Sequence, residues 1–84
     1  MKLGIVIYSK DAETVWNAFR LAVFSLKKKD KVKAFLLAKG VECEKIVDDK
    51  FNVLEQMKFF VNNGGEILAC GTCLKIRNLK GSEL

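Results

Sequence analysis

Three short apolar runs alternate along the chain with longer stretches of helical periodicity, and this alternation restricts the fold more than any other feature. Residues 3–8, rich in Ile and Val, read as a strand buried on both faces. Between residues 12 and 29, Val15, Phe19, Ala22, Val23 and Leu26 recur at spacings of three and four and form one apolar helix face. Asp11 is placed to cap that helix, and Lys27, Lys28 and Lys29 put cations where its C-terminal carbonyls gather. Residues 32–37 read as a second strand, Gly40 as its breaker, and residues 41–50 as a turn or a single helical turn. Asn52 followed by Glu55 resembles a capping box at the head of a helix carrying Val53, Leu54, Met57, Phe60 and Val61. Asn62-Asn63-Gly64-Gly65 ends that helix. Residues 66–69 form the third strand, Cys70-Gly71-Thr72-Cys73 the turn after it, and residues 74–79 a short helix. The order is β-α-β-α-β-α. Parallel strands need crossover connections, so this pattern predicts an α/β fold with helices packed on the faces of a parallel sheet.

Size and composition narrow the chemistry. The 84 residues are enough for one domain, taken as residues 1–84. A core of that size supports about 4–12 kcal/mol of stability. There is no histidine, which removes Ser-His and Cys-His nucleophile pairs and the commonest metal ligand. There is no proline, so folds that depend on a cis-proline are excluded. Three cysteines cannot close a disulfide framework and are read as thiols. No apolar run is long enough to span a membrane, and the opening residues are too short for a signal peptide, so the expected address is the cytoplasm. The net charge of +5 suits an acidic partner without naming one. The basic run at Lys27, Lys28, Lys29, Lys31 and Lys33 reads as a solvated helix end, and a nucleic-acid partner is not expected. Trp16 and Phe24 lie beyond the main apolar stripe and suggest a subunit interface, because so small a domain has little core to spare.

In an open parallel sheet, ligands collect beyond the C-terminal strand ends. Three loops qualify: residues 9–11, 38–43 and 70–73. The last is the most informative. Cys70 ends a strand and Cys73 follows three residues on, so both thiols fall around the first turn of a helix, where free N–H groups favour thiolate. Gly71-Thr72 leaves room for another molecule to approach. The plain alternative is that these cysteines only pack. A zinc site is weaker, since Cys70, Cys73 and Cys43 give at most three ligands without histidine. The common phosphate-cradling glycine motifs are missing, and a thioredoxin-type site would need the absent proline.

Taken in order, four stretches of the chain resemble the DsrE/DsrF-like sulfur-relay family, of the DsrE and TusD type. They are Gly4-Ile5-Val6-Ile7-Tyr8-Ser9, then Glu13-Thr14-Val15-Trp16-Asn17-Ala18-Phe19-Arg20-Leu21-Ala22, then Phe35-Leu36-Leu37-Ala38-Lys39-Gly40-Val41-Glu42, and residues 64–77 around Cys70. The resemblance implies a three-layer, flavodoxin-like parallel sheet assembled into homotrimers or hexamers. It also implies a persulfide carried on Cys70, with Arg77 matching the family's arginine and Ser9, Asn17 and Cys43 as further binding candidates. Asn78 replaces a glycine of the pattern, and Cys73 stands where alanine is common. Relatives continue with a further helix and strand beyond the point matching Leu84. The expected function is a small sulfur-relay protein, sulfurtransferase-like if active, passing sulfane sulfur between donor and acceptor proteins without a cofactor or metal. The competing expectation is a non-catalytic oligomeric module with structural cysteines.

Overall fold

A computed structural model of the chain describes residues 1–79; the last five residues of the expected domain lie outside the described residues. The elements are β1 (Lys2–Ile7), α1 (Ala12–Lys27), β2 (Lys31–Leu36), a 3-10 helix (Ala38–Lys45), α2 (Val53–Asn62), β3 (Glu66–Ala69) and α3 (Gly71–Ile76). The three strands form one sheet in the order β1-β2-β3, parallel throughout, as the alternation predicts.

Local chemistry sets the helix ends. Asp11 Oδ2 accepts from the Thr14 backbone N–H at 3.0 Å and from the Thr14 hydroxyl at 2.7 Å, satisfying a donor left open at the start of α1. The helix stops two residues short of the expected end, because Lys29 turns left-handed at φ 72 and Asp30 folds back to take the Ser25 hydroxyl at 2.7 Å. Asn52 caps α2 through the Glu55 N–H at 3.1 Å. Gly64, at φ 95, carries the chain out of α2 in a conformation that costs other residues more.

Strand alternation sorts residues between the two faces of the sheet. Leu3, Ile5 and Ile7 of β1, Val32, Ala34 and Leu36 of β2, and Ile67 and Ala69 of β3 face α1 and α2. There they meet Val15, Phe19, Ala22 and Val23 from α1 and Val53, Met57 and Phe60 from α2. Phe19 and Phe60 are fully buried and meet edge-on with ring centroids 5.6 Å apart. Each such side chain contributes about 1.5–3 kcal/mol by leaving water.

Both crossovers return on the same side, so α1 and α2 pack together on one face, while α3 sits at the sheet's C-terminal end against the 3-10 helix. The described residues therefore build two layers, and the third expected layer is not among them. The face bearing Lys2, Gly4, Val6, Lys31, Lys33, Phe35, Glu66 and Leu68 is exposed, so β1 is buried on one side and not on both.

Two boundaries also move. Gly40 does not break the chain but lies buried within the 3-10 helix, because that helix crosses the end of β1 so closely that only glycine fits. The segment 70–73 is not a separate turn: α3 begins at Gly71, and the Leu74 N–H reaches the Cys70 carbonyl at 3.0 Å. Leu74 is drawn into the core, and this contact, invisible to local propensity, starts the helix early.

Candidate functional site

The strand ends bring the second and third candidate loops together. The Cys70 N–H donates to the Leu36 carbonyl at 2.8 Å, so β3 stays bonded to β2 up to the cysteine itself. Cys70 then occupies the cap of α3 with extended backbone angles, and Cys73 follows on the helix's first turn. The Cys70 thiol makes no capping hydrogen bond of good geometry. The Cys73 backbone N–H, the Cys73 thiol and, less strongly, the Thr72 N–H nevertheless face its sulfur and hold its pKa below the usual thiol value, against the opposing effect of burial. The result is a partly exposed sulfur biased toward thiolate, the form that attacks another sulfur.

Cys73 is held from the other side. The Ala38 N–H, at the start of the 3-10 helix, donates to Cys73 Sγ at 3.2 Å. Ala38 adopts φ 50, a left-handed conformation that alanine takes only when its surroundings impose it. The pair is thus clamped between two strand ends. A backbone donor thirty-five positions away is not visible in the sequence, so Ala38 is a residue that pattern reading passes over.

Arg77 is turned to other work than facing the thiols. Its Nε donates to Glu42 Oε2 at 2.7 Å and its Nη1 to the Cys73 carbonyl at 3.2 Å, which fastens α3 to the 3-10 helix. Lys10 adds a longer ion pair to Glu42 at 3.9 Å. The Arg77 hydrogen bond, more than the nearby lysines, holds the Glu42 carboxyl below the ordinary carboxylate range. Glu42 carried no separate signal in the sequence, since its partner lies far along the chain.

The remaining candidates are placed apart. Cys43 is sealed in the core, its thiol 3.8 Å from Met57 Sδ, and burial followed by the Glu44 charge pushes its pKa up to about 12. It does not join the strand-end pair, and it is the cysteine for which the packing reading holds. Ser9 takes the Asp11 N–H on its hydroxyl at 3.0 Å and shapes the first loop. Asn17 bonds back to the Glu13 carbonyl at 3.0 Å, within α1. Tyr8, Ser9, Lys10, Asp11, Ala38 and Lys39 line an open cavity of about 630 Å³ beyond the ends of β1 and β2, touching the thiol pair only through Ala38. Trp16, half-buried, packs on Phe51 at 5.1 Å, with Arg20 over its ring at 4.5 Å. Phe24 and Leu21 remain exposed on α1.

The model of the DsrE/DsrF-like family matches residues 1–84, the whole chain. An uncharacterized protein of Methanopyrus kandleri is 36% identical over 74 residues, covering 84% of this chain and 61% of that protein. An uncharacterized protein of Methanocaldococcus jannaschii is 33% identical over 91 residues, covering 100% of this chain and 78% of that protein. The chain thus spans about three fifths of the length of the first relative. A solved structure of a conserved protein of unknown function from Bacteroides thetaiotaomicron superposes with a TM-score of 0.77 at 21% identity, over 93% of this chain and 67% of that one. That likeness is one of fold.

Proposed function

The chain belongs to the DsrE/DsrF-like family, and from that membership we propose that it relays sulfane sulfur as a persulfide on Cys70, between a donor and an acceptor protein in the cytoplasm. The observation that carries this reading is the Cys70 sulfur at the end of β3, partly exposed and with its pKa lowered by the N–H groups of Cys73 and Thr72. In loading, the Cys70 thiolate attacks the outer sulfur of a donor persulfide R–S–SH. The S–S bond breaks, R–S⁻ leaves, and Cys70–S–SH remains. In delivery, an acceptor thiolate attacks that same outer sulfur and the Cys70 thiolate is restored.

Cys73 offers a second exit. Its thiolate can attack the inner sulfur of Cys70–S–SH, expelling HS⁻ and closing a Cys70–Cys73 disulfide. The sulfane sulfur is reduced to sulfide as the two thiols are oxidised, and an external dithiol must then reopen the bond. Cys43 takes no part, since burial keeps it protonated. Assembly into trimers or hexamers through the exposed Leu21 and Phe24 on α1 belongs to the same reading.

Mass spectrometry after incubation with polysulfide tests it: about 32 Da should be added per chain, mapped to Cys70. Cys70→Ser should abolish the gain, and Cys73→Ser should load normally and release slowly. No adduct on any cysteine, with the assembly intact, would instead identify an oligomeric module whose cysteines only pack.

A further inference from the structure

The 3-10 helix and α3 are fastened to each other at two points with matching spacing. The Ala38 N–H donates to Cys73 Sγ at 3.2 Å, and four residues further along each helix Arg77 Nε donates to Glu42 Oε2 at 2.7 Å. Arg77 Nη1 reaches back to the Cys73 carbonyl at 3.2 Å. The cysteine is therefore held at its sulfur by one helix and at its backbone by the arginine. Lys10, from the loop after β1, pairs with the same Glu42 at 3.9 Å, so this one carboxylate joins all three strand-end segments. The Arg77 and Glu42 side chains are partly buried, 27% and 31% exposed. Ala38 keeps the left-handed φ of 50 while its N–H is bonded to the sulfur.

This seat bears on the bond that Cys73 can make. When the Cys73 thiolate attacks the inner sulfur of Cys70–S–SH, a Cys70–Cys73 bond forms, the persulfide S–S bond breaks and HS⁻ leaves. The sulfane sulfur is reduced and the two thiols are oxidised. In that reaction Cys73 Sγ becomes a disulfide sulfur, a poorer acceptor for the Ala38 N–H than a thiol or thiolate. The fastening thus stabilises the reduced pair more than the oxidised one. We infer that Arg77 and Glu42 hold Cys73 on Ala38 and so oppose closure of the Cys70–Cys73 disulfide, which keeps a persulfide on Cys70 until an acceptor takes its outer sulfur. Both act through Cys73, so they are positioning residues, and together they select between delivery of the sulfur and its release as sulfide. The inference rests on Cys70 as the carrier, so its test reads the disulfide equilibrium and the persulfide separately.

Two measurements on the full chain test it. In glutathione redox buffers, with no sulfur donor present, Arg77→Met should raise the equilibrium constant for the Cys70–Cys73 disulfide about tenfold, a shift of about 30 mV to lower potential. Arg77→Lys keeps a cation beside Glu42 but cannot also span to the Cys73 carbonyl, and should fall between. After loading with polysulfide and removal of the excess, the persulfide on Cys70 should decay about tenfold faster in Arg77→Met, with HS⁻ and the mapped disulfide appearing together. Adding Cys73→Ser to Arg77→Met should restore the long-lived persulfide. Glu42→Ala cuts the same fastening from the other helix and should match Arg77→Met in both readings. Val32→Ala weakens the core at the opposite end of β2 and should move neither, which separates the fastening from a general loss of stability. Readings unchanged in both Arg77→Met and Glu42→Ala, an equal change in Val32→Ala, or fast decay that persists without Cys73 would each overturn the inference. A parent that loads no sulfur, with the redox shift present, would remove the relay reading and leave the opposition to the disulfide standing.

Discussion

Gly40 is where the fold and the candidate site depend on the same atom. A Cβ added there would stand 2.0 Å from the Ile7 carbonyl oxygen, 2.7 Å from its carbon and 3.2 Å from Tyr8 Cα, all backbone. The first separation is more than an ångström short of ordinary contact, and no side chain can swing aside to relieve it. The same Ile7 carbonyl accepts the Leu37 N–H at 3.0 Å, so moving either partner strains the bond that joins the ends of β1 and β2. Gly40→Ala should therefore cost about 2–3 kcal/mol, the upper part of the range for overpacking a closed site. Against a total of about 4–12 kcal/mol, that is a large share. In a domain of this length it lowers the melting temperature by roughly 10–20 °C. Gly71→Ala is the internal control, since nothing lies within 4 Å of its added Cβ and the residue opens α3; it should be neutral or stabilising by up to about 1 kcal/mol. Displacement of the 3-10 helix also carries away the Ala38 N–H, so Cys73 should react faster with a thiol reagent in Gly40→Ala. Chemical denaturation with timed alkylation measures both effects. A Gly40→Ala protein within about 0.5 kcal/mol of the parent would refute the reasoning.

Other expectations follow from the same geometry. Alkylation of the native protein at mildly alkaline pH, followed by peptide mapping, should modify Cys70 first and Cys43 at least about a hundredfold more slowly, with the difference lost on denaturation. The folded state holds the Glu42 carboxyl below its ordinary 4.5, so the stability it supplies is complete above that value and is lost as pH falls through the lowered one. Glu42→Gln should accordingly flatten the acid limb of the stability curve below about pH 4.5 while lowering the neutral plateau, as read by urea denaturation at a series of pH values. Phe60→Ala removes a fully buried ring packed on Phe19 and should cost about 3–5 kcal/mol, close to the whole stability at the lower bound, with a matching fall in the denaturation midpoint.

The alternation of apolar runs and helical stripes was sufficient to predict the β-α-β-α-β-α order and a parallel sheet, because hydrophobic periodicity and crossover length are properties of the chain itself. The caps at Asp11 and Asn52 and the thiols at Cys70 and Cys73 were legible for the same reason: each depends on neighbours within a few residues. What depended on distant partners was not. Whether Val6 and Phe35 were buried or exposed turned on which side of the sheet the helices returned to, and an apolar residue looks the same in either case. Gly40 looked like a breaker until the end of β1 was seen to press on it. The bond from Arg77 to Glu42, thirty-five positions earlier, left no mark in the local pattern of either residue. The three cysteines, chemically alike in the sequence, were separated only by burial and by the N–H groups around them, since the environment, not the residue type, decides whether a thiol ionises.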